Sequence, residues 1–530
     1  MTPGSRGSRR AGLLVPLFSM PSSRSWGIGE IGDIPAMAAW MASAGQCLLQ
    51  LLPVNEVPSY ETSPYSALSA MAIDPLFISL ADLEDFVAIG GEAGLEADLR
   101  FRLEGARAAA AVDYTTVRAI KEIVLRRSFE RFCEHEWKAQ TTRAASLRAY
   151  VEDQRWWLED YTLFRALHAR YDERSWTEWP EPLRNREAEA LATARVELGG
   201  DIRYREYVQW VAGDQWAAAR LACAGVAIFG DLPFMVSGDS ADVWARQDEF
   251  RLDTSVGVPP DAFSETGQDW HFPVYRWDVV ARGHYRWLRD RARRNAELFD
   301  GYRVDHVVGF YRTYFRSQDG TEARFTPEDQ TTQVEQGEQV LRALRESGAE
   351  IVSEDLGVIP DFVRDSLVKL SMPGYKVFRW ERHWAHEGQP FVDPTDYPAS
   401  SVATSGTHDT EPLATWWAEA LVHEREAVLA VPSLQARLDP DARRQAVEAP
   451  DLTASVRDAL IEALYASGSD LVILPIQDAF GWRDRINQPA TINASNWTWR
   501  LPWRTDHLTD EPEARAAATR LAKGAESSGR

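Results

Sequence analysis

Three acidic residues follow short apolar segments in the second half of the chain. Asp305 ends Gly-Tyr-Arg-Val-Asp, Glu354 follows Ile-Val-Ser, and Asp409 follows Thr-Ser-Gly-Thr-His. If each segment is a strand of a parallel α/β barrel, all three carboxylates lie at one mouth, because the carboxyl ends of such strands share a face. Clustered carboxylates raise the pKa of one member, which produces a proton donor beside an ionised group.

Cleavage of a glycosidic bond needs such a pair. A carboxylic acid protonates the leaving oxygen, while a carboxylate attacks the anomeric carbon or activates water. A single acidic residue at a strand end more often caps the next helix or pairs with arginine, so the prediction rests on the three together. We therefore predict Asp305, Glu354 and Asp409 as catalytic residues.

Basic residues lie beside two of these carboxylates. Arg303 precedes Asp305 by two positions, so both side chains point the same way from a strand. Arg303 either keeps Asp305 charged, as a nucleophile requires, or forms a purely structural ion pair. His306 and His408 adjoin Asp305 and Asp409 and can donate hydrogen bonds to ligand hydroxyls. No HExxH spacing occurs, so we predict no metal site.

Tryptophan is the second chemical signal. Indole faces stack on the C–H faces of sugar rings, so 21 tryptophans favour a sugar ligand, with core packing as the alternative for each one. No P-loop or GxGxxG motif follows a predicted strand, and we predict no nucleotide or other cofactor. The tryptophans near predicted strand ends are Trp270, Trp277, Trp380, Trp416, Trp417, Trp497 and Trp499.

One long polar loop, Val258–Trp270, precedes the segment that ends at Asp305. Long loops at a barrel mouth are often lids over the active site. The alternative is an ordered loop with a structural role alone. We predict a lid here.

Eight short apolar segments alternate with helical stretches, as in a (β/α)8 TIM barrel whose strands are buried on both sides. The fold class predicted is therefore α/β. The predicted strands are Leu13–Phe18, Cys47–Pro53, Gly225–Pro233, Phe299–Asp305, Ile351–Glu354, Tyr375–Trp380, Val402–Thr404 and Leu471–Pro475.

Two gaps between these strands are too long for simple βα units and have helical periodicity. We predict large helical insertions at about 56–222 and 411–469, within a single catalytic barrel that spans 13–505. Residues 1–12 are predicted to be a flexible N-terminus. Residues 506–530 are predicted to be a helical or disordered tail, with disorder over the last seven residues.

Composition excludes several partners. The chain has 530 residues, 45% hydrophobic, which is ample for a core. Its net charge of −22 argues against binding to nucleic acid or to an anionic membrane. No apolar run approaches the ~20 residues of a membrane helix. Cys47, Cys133 and Cys223 are widely spaced, which favours a reducing compartment, and we predict a cytoplasmic location.

The sequence resembles the amylomaltase, or disproportionating enzyme, family of 4-α-glucanotransferases (glycoside hydrolase family 77) from about Leu13 to Trp503. Seven ordered motifs carry the resemblance. They are Leu51–Ile78 with its Ser-Pro-Tyr, Gly230–Ala245, Pro259–Trp270, Arg303–His306, Ser353–Gly357, Gly406–Asp409 and Asn496–Arg500.

The resemblance implies a retaining transfer of α-1,4-glucan segments between maltooligosaccharides. Asp305 would be the nucleophile, Glu354 the general acid/base, and Asp409 a stabiliser of the transition state. It implies a barrel with inserted subdomains and no C-terminal β-sandwich. The substrate-binding residues implied are Ser63, Tyr65, Asp231, Trp270, Arg303, His306 and His408.

Three positions depart from the family's usual pattern. Ala262 replaces a tyrosine in the lid, His271-Phe272 replaces Gly-Asn, and Thr410 replaces an asparagine. Two alternatives stay open at this point. One is an α-1,4-glucan hydrolase that uses the same carboxylates, and the other is a non-catalytic glucan-binding protein.

Overall fold

Eight parallel strands close a barrel within the residues that the computed structural model describes, which are 9–223, 225–259, 267–489, 491 and 493–530. Each strand overlaps one of the eight predicted apolar segments, least in β1, which shares only Leu13–Leu14 with its segment, and the predicted α/β barrel is confirmed. The strands are β1 (Arg10–Leu14), β2 (Leu48–Gln50), β3 (Ala227–Leu232), β4 (Gly301–Val304), β5 (Glu350–Ser353), β6 (Gly374–Val377), β7 (Ser401–Thr404) and β8 (Leu471–Pro475).

Each barrel strand pairs with its neighbours in chain order, and β1 closes the barrel by pairing with both β2 and β8. Val304, Val352 and Leu474 are fully buried in β4, β5 and β8. Such burial on both faces explains why these strands read as continuous apolar runs. The register pairs Arg303 with Asp231 on β3 and with Val352 on β5.

The α-helices surround the barrel, and several begin at a polar cap. The side chains of Asp113, Thr141, Asp439 and Thr453 accept hydrogen bonds from backbone N–H groups of the first turn. A π-helical turn, Cys133–Trp137, extends one helix. The helices described are Ile34–Ser43, Glu84–Ala88, Ala97–Ala108, Tyr114–Phe132, Thr142–Asp153, Arg155–Arg170, Glu181–Arg184, Ala188–Glu197, Gly199–Ala222, Ala241–Ala245, Trp277–Arg282, Arg286–Leu298, Val308–Tyr311, Gln330–Arg345, Asp361–Lys369, Leu413–Glu419, Val422–Leu429, Pro432–Gln435, Pro440–Glu448, Ala454–Tyr465, Ile476–Phe480 and Pro512–Ser527.

Helices in both predicted insertions pack on the barrel. In the first segment, the indole N–H of Trp216 donates to the carbonyl of Leu298, and its ring contacts Phe299 edge-on just before β4. In the second segment, the buried residues of Ala454–Tyr465 belong to the same apolar cluster as those of β8. The division of the chain into a barrel with two insertions stays a prediction.

A small antiparallel sheet lies outside the barrel and was not predicted. Its strands, in spatial order, are Ala323–Thr326, Thr313–Ser317, Thr254–Val258 and Gln268–Asp269. A separate two-stranded pair joins Phe250–Arg251 to Val274–Tyr275. The predicted lid leaves this sheet at Val258 and returns to it at Gln268.

The predictions for the two chain ends are partly wrong. Strand β1 begins at Arg10, within the predicted flexible N-terminus, because its N–H donates to Asp470 at 2.8 Å and its side chain pairs with Glu350. The tail is helical over Pro512–Ser527, and the last seven residues are ordered. Arg530 donates to the carbonyls of Ser469 and Asp470 at 2.7 and 3.0 Å, which fixes that end.

Among the described residues, no helix has both the length and the apolar character needed to cross a membrane. Cys47, Cys133 and Cys223 all lie in this part of the chain, and each is a free thiol.

Candidate active site

Arg303 lies at the centre of the carboxylate cluster and is nearly inaccessible to solvent. Its Nη2 donates to Oδ1 of Asp305 at 2.8 Å and lies 3.5 Å from Oε2 of Glu354. Its Nη1 donates to Oδ2 of Asp231 at 2.5 Å. One guanidinium therefore holds carboxylates from the ends of three adjacent strands, β3, β4 and β5, in the fork geometry that arginine provides.

Asp305 directly follows β4 and is held by the backbone of the β3 end. Its N–H donates to the carbonyl of Leu232 at 3.1 Å, and its Oδ2 accepts from the N–H of Phe234 at 3.3 Å. The side chain is 23% exposed. Asp305 is thus fixed in orientation by three hydrogen bonds and still open to a ligand at the barrel mouth.

Glu354 directly follows β5, and its N–H donates to the carbonyl of Val304 at 2.9 Å. Its Oε2 accepts from the backbone N–H of His306 at 2.6 Å. Burial raises the pKa of Glu354 to about 8, and the charge of Asp305 acts in the same direction, while Arg303 and the His306 N–H oppose them. At neutral pH this carboxyl group is mainly protonated, which is the state that a general acid requires.

The spacing of Asp305 and Glu354 bears on the stereochemistry of the reaction. Because both carboxyl groups contact Nη2 of Arg303, their nearest oxygens are separated by no more than the two contact distances combined. Retaining glycosidases hold the two carboxyl groups about 5–5.5 Å apart, and inverting enzymes about 6.5–9.5 Å apart. The shared arginine contact favours the retaining arrangement.

Asp409 lies in a turn after β7. Thr410 Oγ1 accepts from the N–H of Thr407 and donates to the carbonyl of the same residue, which shapes the turn at one of the departures from the family pattern. Asn487 Nδ2 donates to Asp409 Oδ1 at 2.6 Å, and His408 Nε2 lies 3.3 Å from Oδ2. The side chain of Asp409 is 41% exposed, so it faces the mouth.

The pKa of Asp409 moves in the opposite direction from that of Glu354. Burial alone raises it, but the charge and hydrogen bond of His408 and the amide of Asn487 outweigh burial and hold it at about 2. Arg303 adds to the lowering. At neutral pH Asp409 is therefore ionised, whereas Glu354 is mainly protonated.

Tyr65 links the first predicted insertion to the barrel. Its hydroxyl donates to Oδ2 of Asp231 at 2.8 Å and lies 3.0 Å from Nε2 of His408, with the two rings stacked. Burial raises the pKa of Asp231. Ser63 makes local contacts, since its Oγ accepts from the N–H of Tyr65 at 3.4 Å. The Ser-Pro-Tyr motif thus lies at the same mouth as the carboxylates.

His306 and Trp270 pack against each other beside Asp305 and Glu354. Their ring centres are 5.0 Å apart in an edge-on arrangement. Burial lowers the pKa of His306, and Arg303 adds to this effect against the charge of Asp305. A neutral imidazole can both donate and accept a hydrogen bond, which suits recognition of a hydroxyl group.

The predicted site residues fall into two groups. Asp305, Glu354, Asp409 and six of the seven predicted binding residues form one contact network, and Ser63 joins it only through the backbone of Tyr65. Three tryptophans predicted near the site instead pack in the core, namely Trp277, Trp416 and Trp417. Trp497 is also buried, but its ring centre lies 5.8 Å from those of Tyr65 and His408, so it does border the site. The lid departure Ala262 lies outside the described residues, as does all of 260–266. His271 is exposed and pairs with Asp269.

Asn487 and Arg485 were missed. Arg485 Nη2 donates to the carbonyl of Asp409 at 2.6 Å. Both residues lie in the irregular segment after Ile476–Phe480, whose sequence shows no periodicity or motif that would place it at the mouth.

Among the described residues, no group of three His, Cys, Asp or Glu side chains is arranged to hold a metal ion. The cation at the centre of the carboxylates is Arg303.

Comparison with known proteins gives one consistent family. Residues 15–506 match the model of glycoside hydrolase family 77, described as 4-alpha-glucanotransferase. A 4-alpha-glucanotransferase of Thermus thermophilus is 34% identical over 518 residues, covering 93% of this chain and 95% of that protein. One of Chlamydia pneumoniae is 30% identical over 500 residues, covering 93% and 91%.

Two solved amylomaltase structures have the same fold as this chain. An amylomaltase from Streptococcus agalactiae in complex with acarbose superposes with a TM-score of 0.80 at 25% identity, covering 98% of this chain and 99% of that one. An amylomaltase from Corynebacterium glutamicum, at 22% identity and a TM-score of 0.76, shares the fold over 98% of this chain and 75% of its own.

Proposed function

Because the chain belongs to glycoside hydrolase family 77 and is a 4-alpha-glucanotransferase, we propose that Asp305, Glu354 and Asp409 are the residues that carry out its retaining double displacement. The observation that carries this assignment is the single guanidinium of Arg303, which contacts Asp305 and Glu354 together. The opposite pKa shifts of Glu354 and Asp409 support the division of roles.

In the first step, a carboxylate oxygen of Asp305 attacks the anomeric carbon of an α-1,4-linked glucose unit. The bond from that carbon to the bridging oxygen breaks, and Glu354 gives its proton to the departing 4-hydroxyl. The products are a β-linked glucosyl ester on Asp305 and a shortened glucan with a free non-reducing end. Arg303 stabilises the negative charge of Asp305 before the attack, and again when the ester breaks and Asp305 leaves as a carboxylate.

In the second step, Glu354 is ionised and acts as a base. It takes the proton from the 4-hydroxyl of an acceptor glucan, whose oxygen attacks the anomeric carbon and releases Asp305. A new α-1,4 bond forms, and Glu354 regains its proton. The configuration at the anomeric carbon is retained because it inverts twice.

Asp409 has a separate part in this scheme. It is held by Asn487 and His408 and stays ionised, so it can accept hydrogen bonds from sugar hydroxyls that strengthen as positive charge develops on the ring. We assign Ser63, Tyr65, Asp231, Trp270, His306 and His408 to binding of the donor sugar, from their positions around the carboxylates.

The substrates that we propose are α-1,4-glucans and maltooligosaccharides, as both donor and acceptor. The acarbose complex of the S. agalactiae amylomaltase supports an oligosaccharide ligand in this fold. We also propose a cytoplasmic location, in keeping with the three free thiols.

Incubation of the purified protein with maltotriose alone tests the proposal. Glucose together with maltopentaose and longer chains is the expected result, because a maltosyl unit transferred to maltotriose lengthens it. Glucose and maltose with nothing longer would make water the acceptor, and the proposal would fail in favour of hydrolysis. The variant Asp319→Asn, at an exposed turn of the small sheet, is the matched control for Asp305→Asn, which should form no product.

A further inference from the structure

The exposure of tryptophan side chains singles out one loop at the barrel mouth. All 21 tryptophans lie in the described ranges, and among them only Trp380 and Trp384 are exposed, at 44% and 61%. Both lie in the loop that follows β6. Leaving large apolar rings in water forgoes the stabilisation of burial, and neighbouring exposed apolar side chains commonly mark a binding surface.

The loop begins at the rim of the active site. Arg379, directly before Trp380, is buried and reaches towards the end of β7. Its Nη2 donates to the carbonyl of Ser405 at 3.2 Å, and its Nη1 donates to Glu411 at 2.6 Å. These two partners flank the turn that carries Asp409. Trp380 therefore stands beside the segment that holds a proposed catalytic carboxylate.

The rest of the loop is an ordered hairpin over residues 381–392. Its backbone is cross-linked by hydrogen bonds from 392 to 381 and from 383 to 390, both 2.9 Å long. The guanidinium of Arg382 lies 3.8 Å from the ring centre of Phe391, and its Nη2 donates to Glu424 at 2.6 Å. Trp384 thus lies on a hairpin whose conformation these contacts fix. Binding of a ligand therefore costs little conformational entropy in this loop.

We propose that Trp384, with Trp380 at the rim, forms an aromatic platform for glucose units of an α-1,4-glucan beyond the reacting bond. The proposal rests on the function proposed above and adds a site that favours longer chains. The indole rings supply faces for the apolar sides of the sugars, and the adjoining His383, His386 and Glu387 supply partners for hydroxyl groups. Because the loop begins at the barrel mouth, a glucan chain that is bound at the catalytic centre can continue onto the platform. We take such a chain to be the ligand of the platform.

Chain length is the property that this platform controls. A short oligosaccharide is held by the groups around Arg303, whereas a longer one continues onto the loop. Removal of the Trp384 ring should raise KM for maltoheptaose relative to KM for maltotriose by between about twofold and tenfold. The effect should fall on KM rather than kcat, because Trp384 contacts no reacting atom.

The experiment compares Trp384→Ala with Trp384→Phe, which keeps an aromatic face, and with Phe101→Ala, which removes an exposed ring from Ala97–Ala108 in the first predicted insertion. KM and kcat are measured for both sugars. A raised KM ratio in Trp384→Ala, partly restored in Trp384→Phe and absent in Phe101→Ala, supports the platform. An unchanged ratio in Trp384→Ala, or an equal change in Phe101→Ala, overturns it.

A binding measurement separates this proposal from the proposed function. Titration calorimetry of maltoheptaose into Asp305→Asn, with and without Trp384→Ala, needs no turnover. Weaker binding in the double variant supports the platform even if the wild-type protein transfers no glucan. Equal binding overturns the platform even if transfer proceeds as proposed.

Discussion

At the scale of single residues, the surroundings of the carboxyl groups give them different protonation states. Glu354 is largely buried beside Asp305 and is mainly protonated at neutral pH, whereas Asp409 is held ionised by an amide and an imidazole. Arg303 supplies one fixed positive charge among the carboxylates. Its contacts with Asp305 and Glu354 bring together the nucleophile and the acid that we propose for cleavage and re-formation of the glycosidic bond.

The raised pKa of Glu354 sets an alkaline limit on activity. Glu354 must be protonated to assist departure of the leaving group, so the rate of the first step should fall as pH rises through about 8. The measurement is the pH profile of kcat/KM for maltotriose transfer from pH 6 to 10. With a glucosyl fluoride donor, whose leaving group needs no proton, the alkaline fall in that step should disappear. Its persistence would contradict the role of Glu354.

Asn487 is predicted to hold Asp409 in its working position. Asn487→Ala removes a hydrogen bond to a charged group, worth about 1.5–3 kcal/mol, and should lower kcat by about tenfold to a hundredfold. Asn493→Ala, in the same irregular segment, is the matched control, since the side chain of Asn493 accepts a hydrogen bond from the backbone N–H of Ser495. Steady-state kinetics of both variants checks this. Equal activity in the two would show that Asn487 has no positioning role.

At the scale of elements, a buried ion-pair cluster fixes the loop between β3 and Ala241–Ala245. His168 is fully buried, with Nδ1 2.9 Å from Glu173 and Nε2 3.1 Å from Asp239, and Arg165 lies beside it. Asp239 belongs to the same loop as Phe234, whose N–H contacts Asp305. The first predicted insertion therefore braces the backbone that orients the proposed nucleophile.

This cluster predicts a pH-dependent stability. Burial lowers the pKa of His168, but its hydrogen bonds to Asp239 and Glu173 outweigh burial and raise it above its ordinary value. Its stabilising contribution is thus complete below about pH 6.5, the unfolded pKa, and is lost as pH rises through the higher folded pKa. Wild-type protein should exceed His168→Gln in unfolding free energy by about 1–3 kcal/mol at pH 6, and by less at pH 9.

Denaturant unfolding at the two pH values measures this difference, with the exposed His423→Gln as control. The kcat of His168→Gln should also fall, since the loop that carries Phe234 loses its brace. A stability difference that is constant with pH would mean that the charge of His168 contributes nothing to the cluster.

The elements differ in how far the sequence predicts them. The eight barrel strands are readable because burial on both faces leaves continuous apolar runs, and the acidic residues that follow three of them mark the mouth. In the small sheet, Gln268–Asp269 is too short to carry a period-two pattern, and Thr254–Val258 and Thr313–Ser317 were not recognised as strands. Asn487 was missed because its contact depends on how an irregular segment crosses the mouth, which no local pattern encodes. The chain ends were misjudged because long-range partners of Arg10 and Arg530 order them.

At the scale of the whole molecule, the barrel and both predicted insertions share buried apolar contacts. Tyr204 and Val208 of the first insertion and Leu460 of the second lie in one apolar cluster with Leu49 of β2 and Leu474 of β8. Removing either insertion would expose the apolar face against which it packs. The insertions are therefore expected to be integral to the barrel.

We accordingly predict one cooperative unfolding transition for the chain. Tryptophan fluorescence reports on rings in the barrel and in the first insertion, and far-UV circular dichroism reports on the helices, so the two denaturant curves should coincide. Two separated transitions would show that an insertion unfolds on its own, and that the chain contains more than one folding unit.

The most direct test of the account is to trap the covalent intermediate. Glu354→Gln, incubated with maltotriosyl fluoride, should form the ester without needing an acid and break it down slowly, because the base for the second step is missing. Mass spectrometry of proteolytic fragments should place one maltotriosyl unit on Asp305, and Asp305→Asn should carry none. A sugar on another residue, or no covalent sugar together with products of inverted configuration, would contradict the retaining mechanism proposed for this site.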